Sequence, residues 1–244
     1  MRELALFAGA GGGILAGKLL GWRTVCAVEL DAYCRSVLLA RQRDGILEPF
    51  PIWDDVRTFD GRPWKGRIDV LSGGFPCQDI SPAGTRTGLS GARSGLWVEM
   101  ARIIREVDPR QVWVENSAAL VIRGLHVGLA DLAEMGFDAR WGVFSAGDAG
   151  ARHERERLFI LANRHGFVGS QGAWSEQQFR QSENEPFCNG TDVEDSAALW
   201  LEMADARAGM DDDVARRLVR TYAIGNGQVP CVAASAWRLL SAAS

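Results

Sequence analysis

Over its first 163 residues the chain alternates short apolar runs with stretches whose apolar residues recur three and four positions apart. Two periods in regular alternation commit a chain to strand-helix-strand units, and consecutive units of that kind build a mostly parallel sheet covered by helices. Strands are expected at 4–8, 24–28, 69–72, 111–115, 139–144 and 158–162. Ile14, Leu15, Leu19 and Leu20 mark a helix after the first strand. Ser94 can cap another that carries Leu96, Met100, Ile103, Ile104 and Val107, and Leu125, Leu129, Leu132 and Met135 mark a third. These stripes read most simply as core packing. From 163 to about 207 the pattern dissolves into Gln, Ser, Glu and Gly with isolated aromatics, as in a long loop or small insert. Helical spacing returns at 214–219, and a last helix is expected over 229–240. The chain therefore divides into a main domain, 1–162, a short acidic insert, 163–221, and a segment returning to the main domain, 222–244.

With 244 residues, 47% of them hydrophobic, one large core is within reach. No stretch approaches the ~20 apolar residues that span a bilayer, and the N-terminus carries no cleavage pattern, so a cytoplasmic protein is expected. The five cysteines are odd in number and scattered without a CxxC pair, which suggests neither a disulfide framework nor a metal site. The net charge of −4 is unevenly placed. Residues 166–213 hold eleven Asp or Glu against two Arg, a balance of −9 that leaves +5 on the remainder, a mildly basic body able to face phosphates.

The candidate chemistry lies at successive strand ends. FAGAGGG, at 7–13, lies between the first strand and a helix, where glycine lets backbone approach a ligand and the helix offers free amides. Alone it is equally a glycine turn of any α/β protein. Glu29 ends the second strand about 20 residues later, placed to take both hydroxyls of a ribose, and Asp55 follows the next short apolar run, placed for an adenine amino group. Each could be an ordinary cap or turn residue; together they favour an adenosine-containing cofactor. The absence of GxxxxGK[ST] argues against a nucleoside triphosphate, while these residues alone leave a nicotinamide cofactor and a methyl donor both open.

In LSGGFPCQDISPAG, at 71–84, Cys77 follows a strand through two glycines and Pro76, at the sheet edge where ligands bind in this architecture. A thiolate there is a strong nucleophile, although an arbitrary cysteine is more often a buried core thiol. VWVENS ends a β-rich run in Glu115 and Asn116, and a carboxylate at the end of an apolar strand tends to hold its proton. In RHERERLFIL, His153, Arg155 and Arg157 alternate on one face of an entering strand, which is a solvated edge if it stands alone.

Taken together these elements resemble the DNA cytosine-5 methyltransferase family, in its compact bacterial or phage form associated with restriction-modification. FAGAGG is similar to the cofactor loop, GGFPCQDIS to the nucleophile loop, ENS to the ENV element, HERER to the QxRxR element and IGNGQVP to the GN-VP element, in the family's order. The resemblance implies a Rossmann-like methyltransferase fold with a small inserted target-recognition region. It implies S-adenosylmethionine as methyl donor, S-adenosylhomocysteine as product and double-stranded DNA as partner, with the target cytosine flipped out of the duplex. By the same resemblance Cys77, Glu115, Arg155 and Arg157 are catalytic. Phe7, Ala8, Gly9, Gly11, Gly12, Glu29, Leu30, Asp55, Val56, Pro76, Leu96, Asn226 and Gly227 line the cofactor pocket, and Phe75, Gln78, Ser81, Asn116 and His153 meet the base. No metal and no membrane contact are implied, and a monomer is expected, with a partner protein left open.

The chain departs from the family at His153, where Gln is usual, at Ser117, where Val is usual, and at Gly227 and Gln228, where small residues are common. The insert is short and acidic for a DNA reader; Trp174, Phe179 and Trp200 read more simply as its own small core than as stacking wedges, whereas Arg216, Arg217 and Arg220 form a better phosphate-contacting face. An RNA cytosine-5 methyltransferase of the same fold, and a non-catalytic binding module dependent on a partner, are the alternatives.

Overall fold

The computed structural model describes residues 1–76, 95–146, 155–167 and 228–242. Within them the expected alternation appears as β1 Arg2–Leu6, α1 Gly12–Leu19, β2 Arg23–Val28, α2 Ala32–Arg43, β3 Ile52–Trp53, a 3-10 turn at Arg62–Trp64, β4 Val70–Gly73, α3 Gly95–Val107, β5 Gln111–Ser117, α4 Leu120–Arg123, α5 Leu125–Glu134, β6 Phe137–Phe144, β7 Arg157–Arg164 and α6 Pro230–Ala242. The six expected strands are present. Helix α2 was not anticipated, because Arg35, Arg41, Gln42 and Arg43 interrupt its apolar stripe of Cys34, Val37 and Leu38. The expected cap Ser94 and the helix at 214–219 lie outside the described residues.

The strands form one seven-stranded sheet in the order β3-β2-β1-β4-β5-β7-β6. β1 to β5 run parallel, and β7 enters antiparallel between β5 and β6. Strands covered on both faces have no solvent side, which is why β4 and the first six residues of β5 are buried at every position and read as apolar runs rather than alternating ones. On one face α3 and α5 press Trp97, Met100, Ile104 and Leu132 onto Leu4, Leu71, Val114 and Ile160. On the other, α6 covers the β4–β5–β7 region, and Trp237 stands edge-on to both Trp113 and Trp22, at centroid distances of 5.2 and 4.5 Å. From β1 the chain winds outward to β2 and β3, then returns to the other side of β1 and winds through β4 and β5. The carboxyl ends of β1 and β4 therefore flank the point where winding reverses, and connecting loops there leave in opposite directions and open a crevice.

A carboxyl group is sealed between β1, β2 and β4. The Glu3 side chain, wholly buried on β1, accepts 2.6 Å hydrogen bonds from Thr24 Oγ1 of β2 and Ser72 Oγ of β4, and burial pushes its pKa up to about 7. Because the folded-state pKa lies above the unfolded one, the protonated carboxyl stabilises the fold below pH ~4.5, and that stability is lost as pH rises through about 7. Glu3→Gln is expected to flatten this part of the profile, with the wild-type minus variant unfolding free energy changing by roughly 2–3 kcal/mol between pH 5 and 8. Urea titrations at those two pH values check it; parallel profiles would refute the buried-proton account. Among the described residues no helix is long and apolar enough to cross a membrane.

Candidate active site

A cleft of about 780 Å³ opens at the carboxyl ends of β1, β2, β4 and β5. Its floor is the turn after β1. Phe7, Gly9 and Gly11 have φ of +52°, +54° and +95°, so the backbone doubles back within five residues, and glycine serves at two of the three left-handed positions. Gly11 N donates to Ala8 O and Ala8 N to Val28 O, pinning the turn to β2. Gly11 is the N-cap of α1 with no side-chain cap, so the first amides of that helix face the ligand side with the positive end of the helix dipole.

Glu29 stands across this turn. Its two carboxylate oxygens accept from Gly9 N at 2.6 Å and from Asp31 N at 2.8 Å, and each oxygen keeps a lone pair for a further donor. Burial raises its pKa and the two amide bonds oppose that rise. Arg35 holds the backbone here by donating to Glu29 O and Leu30 O, and Asp31 caps α2 through Cys34 N. On the far wall Asp55 accepts from Arg57 N at 2.9 Å, and Val56 is buried. The 55–61 loop is tied down from α3: Arg102 donates to Val56 O at 2.8 Å and Phe59 O at 3.0 Å, and to Glu106, which in turn accepts from Gly61 N at 2.8 Å. A Cβ on Gly61 would meet Glu106 and Val107 at 3.0 Å, so the loop packs directly on the helix.

The opposite end of the cleft holds an acid–arginine pair. β5 carries Glu115, 7% exposed, and β7 carries Arg157, whose Nε lies 2.9 Å from Glu115 Oε1. In the β5–β7 register Glu115 pairs with Phe159 and Ser117 with Arg157, so Glu115 and Arg157 are diagonal neighbours on one face. Burial pushes the Glu115 pKa up to about 7, with Arg157 and then Arg155 pulling it back. Arg155 is itself held below the usual guanidinium range, first by burial and then by Arg157. Gly74, just past β4, leaves room for this carboxylate, because a Cβ there would lie 2.7 Å from Glu115 Oε2. Beyond it, Phe75 is buried against Trp97, and its carbonyl accepts from Asn116 Nδ2 at 3.1 Å. The backbone is thus fixed up to Pro76, one residue short of Cys77.

A glycine turn against the Glu29 carboxylate and a buried Glu115 clasped by Arg157 occupy two ends of one cleft. The family model for C-5 cytosine-specific DNA methylase matches residues 1–212. The chain belongs to that family. It is 33% identical over 191 residues to the Type II methyltransferase M.CviJI of Paramecium bursaria Chlorella virus IL3A, covering 77% of this chain and 50% of the relative. To the Type II methyltransferase M.Eco47II of Escherichia coli it is 33% identical over 170 residues, covering 66% and 39%. The chain thus spans half the length, or less, of these relatives. Among solved structures it resembles a DNMT2 mutant of Spodoptera frugiperda (TM-score 0.57, 19% identity, 72% of this chain and 53% of that one) and the S. pombe Dnmt2 methyltransferase (0.56, 20%, 74% and 55%), which establishes the Rossmann-like methyltransferase fold.

In this member of the family, Phe7, Ala8, Gly9, Gly12, Glu29, Leu30, Asp55, Val56, Phe75, Pro76, Leu96, Glu115, Asn116 and Arg157 all face the cleft. Gly11 acts from beneath it as the helix cap, and Arg155 lies near enough to Glu115 to pull its pKa down. Cys77, Gln78, Ser81, His153, Asn226 and Gly227 lie outside the described residues, as do the aromatics and arginines singled out in the insert. Gly13, Gly74, Arg57 and Gln228 also line the cleft but were not read as site residues. Gly13 belongs to the glycine run and Gly74 to the nucleophile loop, so both lay inside motifs already noticed; Arg57 carried no signal. The described residues contain no group of three His, Cys, Asp or Glu suited to a metal ion.

Proposed function

We propose that this protein transfers a methyl group from S-adenosylmethionine to carbon 5 of cytosine in DNA through a transient bond to Cys77. The observation that carries this reading is the Glu115–Arg157 pair: a carboxyl that holds a proton near neutral pH, at one end of the cleft whose other end presents the Glu29 and Asp55 carboxylates. The residues present suit the methyl donor. Glu29 retains acceptor capacity for ribose hydroxyls, Asp55 stands past the end of the neighbouring strand for an exocyclic amine, and the uncapped α1 amides suit a carboxylate. When bound, the donor supplies an electrophilic methyl on a sulfonium.

The protein's own groups make cytosine able to accept it. The Cys77 thiolate bonds to carbon 6, and as it does Glu115 gives its proton to ring nitrogen 3, so the displaced electron pair makes carbon 5 enamine-like rather than leaving an anion on the ring. Arg155 stabilises the adduct through the base carbonyl, and Arg157 holds Glu115 in place. After carbon 5 is methylated, a base removes its proton, the sulfur–carbon bond breaks to release thiolate, and the proton on nitrogen 3 returns to Glu115.

Incubation with S-adenosylmethionine and duplex DNA, with 5-methylcytosine mapped by bisulfite sequencing, tests the activity, and an RNA arm tests the alternative acceptor. DNA containing 5-fluorocytosine should trap a covalent complex. A folded, cofactor-binding protein that methylates neither polymer and forms no adduct would be a binding module instead. The loop clamp gives a subtler expectation: Arg102→Ala should weaken S-adenosylhomocysteine binding roughly 3–10-fold, since it releases the Val56 and Phe59 carbonyls, while kcat stays within about twofold. Calorimetry and saturation kinetics separate the two; a fall in kcat alone would count against the clamp.

A further inference from the structure

Gln228 enters the cleft from the segment just ahead of α6 and is tightly seated. A Cβ on Gly13 would lie 3.2 Å from both its Oε1 and its Nε2, and one on Gly74 would lie 3.5 Å from its Nε2 and 2.7 Å from Glu115 Oε2. Gln228 therefore packs between the first turn of α1 and the carboxyl end of β4, at the junction of the cofactor and base ends of the cleft. Yet its buried Oε1 has no hydrogen-bond partner among the described residues. An orphaned buried acceptor is costly, so a residue needed only for filling would be served better by an apolar side chain of the same length.

The geometry points to Gln228 as a ligand-binding residue that accepts a hydrogen bond from the α-ammonium at the amino-acid end of the cofactor, an assignment that rests on the function proposed above. The uncapped N-terminus of α1, which Gln228 touches through Gly13, attracts the carboxylate of that end. In an amino acid the ammonium sits on the carbon next to the carboxylate, so it falls in the same corner and requires an acceptor. One Glu115 oxygen is engaged by Arg157, whereas Gln228 Oε1, buried at the cleft, has no hydrogen-bond partner among the described residues. A neutral amide also suits the place better than a carboxylate, since a second anion beside Glu115 would drive its pKa higher still.

Calorimetric titration of the full chain with two probes tests this: S-adenosylhomocysteine, and 5′-methylthioadenosine, which shares the nucleoside but has no amino-acid end. Gln228→Met is expected to weaken binding of the first by about 10-fold or more while leaving the second within twofold, and Gln228→Glu, which keeps an acceptor, should recover most of the affinity for the first. Equal losses for both probes would show that Gln228 only shapes the pocket, and an unchanged affinity for S-adenosylhomocysteine would show that it touches nothing; either overturns the assignment alone. Wild-type protein that binds neither probe would overturn the proposed function and this assignment with it.

Discussion

Cys77→Ala is expected to abolish methyl transfer, with a loss of at least ~10³-fold, while S-adenosylhomocysteine still binds within about twofold of wild type. Without the bond to carbon 6, carbon 5 of cytosine is too weak a nucleophile, and among the described residues the other thiol on the cleft wall, Cys34, sits beside Glu29 and Asp31 with its pKa pushed up by burial. Cofactor affinity should survive because the Glu29 and Asp55 contacts lie at the other end. The approach to Cys77 is also independent of its side chain: Phe75 is buried against Trp97, and its carbonyl is held by Asn116. A single-turnover rate retained above about a tenth of wild type would sink the covalent mechanism.

Glu115→Gln is expected to lower kcat by roughly 10²–10⁴ with little change in the affinity for S-adenosylhomocysteine, the range in which a positioned general acid contributes. Burial places the Glu115 pKa at about 7, so the protonated acid is the form present below that pH, and wild-type kcat should carry a limb that falls as pH rises through neutrality. The Gln variant should lose that limb. Arg157 opposes protonation, so Arg157→Gln should move the limb to higher pH, and a shift to lower pH would contradict the role given to the ion pair. Rates measured from pH 5.5 to 9 under saturating substrates decide the matter.

Much of this site could be read before any coordinates. The parallel sheet followed from the alternation of short apolar runs with stretches of helical spacing, because strand-helix-strand units join parallel strands. Glu29 and Glu115 could be placed at strand ends because each is the first acid after such a run. Helix α2 could not be read, since only a narrow stripe of it is buried and its remaining positions carry polar residues that solvent tolerates anywhere. Gln228 lay in a noted motif yet had no assignable part, because a glutamine in sequence says nothing about whether its amide finds partners.

The sequence by itself carried the six longer strands, the glycine turn after the first of them and, through a family resemblance, the candidates for nucleophile, acid and arginines, because local periodicity and motif spacing depend on neighbours along the chain. Only the tertiary structure decided how these groups act on one another. That Glu115 keeps its proton near pH 7 reflects burial weighed against two arginines; that Gly74 must lack a side chain reflects a carboxylate from another strand; that Arg102 secures the Asp55 wall reflects a helix more than 40 residues away in sequence. Each depends on distances and desolvation between residues remote in sequence, and those quantities come into being only when the sheet closes around them.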